Sequence, residues 1–93
     1  MDKAEARQLL RQHLDGYRTR GYGELAKLVG QLDVAEVAGA SATSYQIEVQ
    51  VLWDDKPHRD IRVMGGIDDG GLRAFLPLTD SFIMAPDGSF VGE

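Results

Sequence analysis

The chain has 93 residues, with 15 acidic and 10 basic side chains for a net charge of −5, and it contains no cysteine. That is enough for one small domain, and it excludes disulfides, thiolate nucleophiles and cysteine-ligated zinc or iron–sulfur centres. With 43% hydrophobic and 27% charged residues the composition is that of a globular domain, and no apolar run approaches the roughly 20 residues that cross a bilayer.

The charge is divided unevenly. Residues 1–31 carry 6 basic and 4 acidic side chains, a balance of +2, whereas residues 32–93 carry 4 basic and 11 acidic, a balance of −7. Net acidity argues against a nucleic-acid partner, because affinity for nucleic acid comes mainly from neutralising phosphates. The opening Met1-Asp2-Lys3-Ala4-Glu5 leads into no apolar segment of signal-peptide type, so a cytoplasmic protein is expected, without a membrane partner.

Asp2 and Glu5 have capping-box spacing. Beyond them Ala6, Leu9, Leu10, Leu14 and Tyr17 recur at steps of 3 and 4, which places them on one face of a helix over about residues 2–19. Arg18 and Arg20 suit the negative end of its dipole, and Gly21 is expected to stop it. A shorter helix over about 22–30 carries Leu25, Leu28 and Val29 and ends at Gly30.

From there the period changes to 2. Residues 33–38 form a first strand whose inward set is either Val34 or the Ala35 and Val37 pair. It turns through Gly39-Ala40-Ser41-Ala42 into a strand in which Tyr45, Ile47, Val49, Val51 and Trp53 point one way and Ser44, Gln46, Glu48 and Gln50 the other. Such alternation marks a sheet with one wet face. Ile61, Val63 and Ile67 are the inward residues of a strand over 59–67, and Leu72, Ala74, Leu76 and Leu78 those of a strand over 72–78, with Asp68-Asp69-Gly70-Gly71 as the hairpin loop between them. Pairing Trp53 with Arg59 and Ile67 with Leu72 puts every cross-strand pair on a shared face. Gly65 then lies opposite Ala74, a shallow spot where the first helix can approach. Phe82-Ile83-Met84 resumes the pattern, Ala85-Pro86-Asp87-Gly88 is a turn, and Ser89 to Val91 folds back.

The expected fold is therefore α+β: two N-terminal helices packed on one face of an antiparallel meander of about four strands. Helices first and a sheet after them resemble the cystatin-like and NTF2-like arrangements in layout, and a shared layout carries no function with it.

Chemistry-bearing residues are sparse. Asp54-Asp55-Lys56-Pro57-His58-Arg59-Asp60 is the densest polar cluster, but its spacing fits neither a calcium loop nor a two-histidine zinc site, and it reads as a solvated hairpin loop. No serine sits in a nucleophile-elbow context, and neither Gly65-Gly66 nor Gly70-Gly71 leads into a helix that could receive a phosphate. No catalytic residue, metal site or cofactor is therefore expected. Lys3, Arg7, Arg11 and Arg18 share one arc of the first helix and read as its solvated flank.

Two surfaces stand out. On the wet face of the sheet, Met64 and Phe75 form an apolar centre, with Glu48, Leu52, Arg62 and Arg73 around it, the pattern of a small interface. Under the first helix, His13, Tyr17, Tyr45 and Trp53 are candidates to line a pocket. The expected function is a non-enzymatic interaction or accessory domain that binds a protein partner or a second copy through the wet face. The alternatives are an acidic inhibitor or immunity-type protein covering a basic partner, and a small-ligand or enzymatic domain using the pocket.

Overall fold

The computed structural model describes residues 1–70 and 77–93. Helix α1 spans Lys3–Arg18 and α2 spans Tyr22–Leu28; strands β1 (Leu32–Ala38), β2 (Ser44–Trp53), β3 (Ile61–Asp68) and β4 (Leu78–Met84) follow. The strands form one antiparallel sheet in the order β1-β2-β3-β4, each hydrogen-bonded to its neighbour in sequence. Both helices pack on one face of this meander, which is the expected α+β fold.

Asp2 caps α1, its side chain accepting from the Glu5 backbone N–H at 3.0 Å. The reciprocal half of the capping box is not made, because the Glu5 carboxylate is used elsewhere. It accepts from the Ser41 backbone N–H at 3.2 Å, the Ser41 hydroxyl at 2.7 Å and the Tyr45 hydroxyl at 3.1 Å, tying the start of α1 to the β1–β2 turn. Gly39 fits this seat, since a Cβ there would overlap the Glu5 carboxylate. Thr19, not Gly21, closes α1, and Gly21 is the extended N-cap of α2.

Ala6, Leu10, Leu14 and Tyr17 of α1 and Leu25 of α2 are buried against Tyr45, Ile47, Val49, Val51, Ile61, Val63 and Ile67. These are the odd positions of β2 and β3, as the alternation requires. Gly65 lies among them, and a Cβ built on it would stand 2.8 Å from Leu10 Cδ1 and 3.1 Å from Leu14 Cδ2. Helix α1 thus rests on this glycine.

Registers differ from the expected ones by an even number of residues. Trp53 pairs with Ile61, not Arg59, because the ladder continues one step into the loop, where the Asp54 N–H donates to the Asp60 carbonyl at 2.9 Å. The chain then turns over 55–59 with His58 at φ +66°. Ile67 pairs with Leu78, not Leu72, so the partner of β3 is β4; of the strand expected over 72–78, residues 72–76, Ala74 included, lie outside the described residues. Shifts of two and of six are both even and keep every side chain of β2 and β3 on its face, so the core set of these two strands survives while its partners change. Gly65 faces Asp80 across the ladder.

In β1, Val37 pairs with Tyr45, Ala35 with Ile47 and Asp33 with Val49, which assigns Ala35 and Val37 to the helix side and Val34 to the outer side. The chain after β4 turns through 85–88, with the Gly88 N–H donating to the Ala85 carbonyl at 2.8 Å. Phe90 then bridges Met84, and the Val91 N–H donates to the Ile83 carbonyl at 2.9 Å. Arg18 fastens this tail. Its guanidinium lies 4.7 Å and 4.8 Å from the ring centroids of Phe82 and Phe90 and makes two 2.8 Å bonds to the Glu93 carboxylate.

Candidate functional site

The outer face of the sheet is built from the even positions of β1, β2 and β3 and the odd positions of β4. One row runs Leu32, Gln50, Met64, Ser81; the next runs Val34, Glu48, Gly66, Thr79; a third runs Leu52, Arg62, Ile83. Glu48 therefore neighbours Gly66 and Val34, and Met64 neighbours Gln50 and Ser81, which replaces the expected Glu48, Met64 and Phe75 row. Arg73 and Phe75 lie outside the described residues. Arg62 is held at the rim by Asp54, which accepts from it at 2.8 Å, and Leu52 beside it is half-buried.

Among the described residues three large apolar side chains on this face meet solvent: Leu32 is 58% exposed, Val34 50% and Met64 41%. Leu32 and Met64 flank Gln50 in one row and line a shallow groove of about 160 Å³ with Gly66 and Thr79, and Val34 sits one row on. Gly66, with no side chain, leaves this space open. Apolar residues within a polar surround of Glu48, Gln50 and Thr79 have the composition of an interface centre and rim. Sequence reasoning singled out Met64 but missed Leu32 and Val34. The signal that locates them is the identity of Asp33, whose carboxylate on the helix side accepts from the Tyr17 hydroxyl at 2.7 Å and so turns both neighbours outward.

The four pocket candidates are dispersed. Tyr45 and Trp53 stand at opposite ends of β2, roughly 26 Å apart at the usual strand rise. The Tyr45 hydroxyl is engaged by Glu5, and Trp53 lies against His58 with ring centroids 5.2 Å apart and the planes inclined at 51°. His13 lies against Tyr17, with centroids 5.9 Å apart, and its Nε2 is buried without a hydrogen-bond partner. A cleft of about 240 Å³ opens beside Tyr17, with Arg20, Leu28 and Asp33 in its wall. Burial, and then the bond to Asp33, push the Tyr17 hydroxyl up to about 12, so it is a hydrogen-bond donor and a poor base across the physiological range.

The polar loop makes turn and rim contacts: Asp54 to Arg62, and the Arg59 carbonyl to the Tyr22 hydroxyl at 2.6 Å. Among the described residues no group of three or more histidine and carboxylate side chains is arranged to hold a metal ion, and no helix is long and apolar enough to cross a membrane. No family model, curated protein or solved structure matches this chain.

Proposed function

We propose that this protein is a non-enzymatic interaction domain that self-associates through the outer side of its sheet, with Leu32 and Val34 in the contact. The observation that carries this reading is the exposure of Leu32, Val34 and Met64 in adjacent rows. A domain of this size buries only about 60 to 65% of the surface its unfolded chain exposes, and a second copy adds burial that the single chain lacks. Sedimentation velocity across a concentration series tests it. Association is expected, and Val34→Glu, which sets a charge in the middle of the apolar strip, is expected to leave a monomer. A protein that stays monomeric at every concentration overturns the reading.

A second reading is an acidic domain that covers a basic partner. It is favoured by the carboxylates of Glu36, Glu48 and Asp68 on the same outer side and by the −7 balance of residues 32–93. Salt separates the two readings. A complex of opposite charges weakens as ionic strength rises, whereas two copies of a chain of charge −5 associate more strongly once their repulsion is screened.

A further inference from the structure

The two edges of the sheet are treated differently by the chain. The edge beyond β4 is closed in part by the chain's own end, through the Met84–Phe90 bridge and the bond from the Val91 N–H to the Ile83 carbonyl. Beyond β1 no described residue pairs, and β1 terminates the strand order. Open edges are commonly blunted by charged side chains, an inward-pointing charge, proline or a bulge; the two charges of β1, Asp33 and Glu36, are hydrogen-bonded to Tyr17 and Ser44 of their own chain. β1 reads Leu-Asp-Val-Ala-Glu-Val-Ala and pairs with β2 without interruption over residues 32–38.

The hydrogen-bond phase of this edge can be worked out. The Gly39 N–H donates to the Thr43 carbonyl at 2.9 Å, and in an antiparallel ladder bonding pairs alternate with non-bonding ones. Residues 33, 35 and 37 therefore bond to β2, and the N–H and C=O groups of Leu32, Val34, Glu36 and Ala38 point away from the sheet. These four residues also carry their side chains on the outer face.

We infer that a second copy of this chain pairs with the first along β1, antiparallel, about a two-fold axis through Ala35. This rests on the self-association proposed above but sets the partner beside β1, so that Leu32 and Val34 meet the partner's β1 laterally and the groove at Met64 stays uncovered. In this register Leu32 opposes the partner's Ala38, Val34 opposes the partner's Glu36, Asp33 opposes the partner's Val37, and the two Ala35 residues face each other. Every outward N–H and C=O of residues 32–38 finds a partner. Shifting the axis to Asp33 or to Glu36 would set like carboxylates directly opposite one another, a destabilising arrangement.

Both carboxylates of the strand are drawn inward within their own chain, Asp33 by the Tyr17 hydroxyl and Glu36 by the Ser44 hydroxyl at 2.8 Å. In this register neither carboxylate stands opposite a carboxylate of the partner. Pairing about a two-fold axis closes on itself. It also joins the Leu32 and Val34 strips of the two copies into one outer surface.

The absence of cysteine makes a direct test possible. Ala35→Cys places a single thiol per chain at a non-hydrogen-bonded pair on the two-fold axis, where Cα atoms stand about 4.5 Å apart, within the range that a disulfide spans. Under oxidised glutathione it is expected to give a covalent dimer at protein concentrations where Met64→Cys gives none. Independently, Glu36→Pro removes an outward N–H without touching the β1–β2 ladder and is expected to weaken the dimer roughly 10- to 100-fold, while Glu36→Ala, which keeps that N–H, leaves most of the affinity. A non-covalent dimer that cross-links through Met64→Cys and not through Ala35→Cys, or one indifferent to Glu36→Pro, overturns the edge pairing and leaves self-association standing. Absence of any dimer overturns both.

Discussion

The seat of α1 on Gly65 can be measured as a coupling energy. A Cβ at position 65 would lie 2.8 Å from Leu10 Cδ1, well inside the 3.4 Å at which ordinary contact begins, and 3.1 Å and 3.3 Å from the two Leu14 methyl carbons. Gly65→Ala therefore overpacks the helix–sheet interface, at a cost of 1 to 3 kcal/mol in typical cores, offset by about 0.5 to 1 kcal/mol from replacing a glycine within a strand. A net loss of about 1 kcal/mol is expected. Leu10 is 1% exposed, and Leu10→Ala is expected to cost about 3 kcal/mol in lost burial and residual cavity. In the double variant the closest clash disappears, because the offending Cδ1 is gone and the new methyl occupies part of the space. The pair should then cost about 3 kcal/mol, about 1 kcal/mol less than the sum, beyond the few tenths within which independent sites add. Total stability for a chain of this length is about 5 to 14 kcal/mol, so each variant remains folded. Urea unfolding followed by far-UV circular dichroism supplies the four free energies. Strict additivity would refute the packing of Leu10 on Gly65.

Two further outcomes concern polar clamps. Arg18→Lys is expected to lose most of what Arg18→Ala loses, about 1 kcal/mol, because a compact ammonium cannot reach the rings of Phe82 and Phe90 and the Glu93 carboxylate together as the guanidinium does; Glu93→Gln should lower the melting temperature much less, the ion pair being solvated, and a larger effect from Glu93→Gln would contradict this ranking. Bonds from Ser41, with a smaller contribution from Tyr45, hold the Glu5 carboxyl below its ordinary 4.5. A depressed folded-state value stabilises above the unfolded value and is lost as pH falls through the folded one. Glu5→Gln should therefore flatten the decline in melting temperature between about pH 5 and pH 3 relative to the parent chain, and an unchanged acid profile would remove the clamp from the account.

The fold was legible where a pattern had only one solution. Positions 45 to 53 and 61 to 67 alternate so regularly that the core face follows from residue type alone, and the buried set of β2 and β3 bears this out. Partners were not legible to the same degree, because a slip of two residues leaves alternation intact. What decides the register is the loop geometry at Asp54, Asp60 and His58, where the ladder runs one pair further than the hydrophobic run. β4 was obscured by Asp80, a carboxylate on the helix side of the sheet. It is tolerated there because β4 is an edge strand and Asp80 stays exposed, in the wall of a groove shared with Arg7 and Arg11.

The candidate site was half legible for the same reason. Met64 follows from parity within one strand, whereas Leu32 and Val34 depend on which way β1 faces, which the bond between Tyr17 and Asp33 and the packing of Val37 on the core set together. Tyr45 and Trp53 were grouped by sharing a face, but residues that share a face can still lie a strand's length apart.

The account rests on the opposed faces of adjacent residues in β3, with Val63 fully buried and Met64 41% exposed. Thiol reactivity of Val63→Cys and Met64→Cys toward a disulfide reagent, under native conditions and in a chain with no other cysteine, tests this most directly. The account predicts that the Met64→Cys thiol reacts nearly as fast as in an unfolded peptide, while the Val63→Cys thiol reacts only through opening of the fold. Fast reaction at 63 and protection at 64 in the dilute monomer would contradict it.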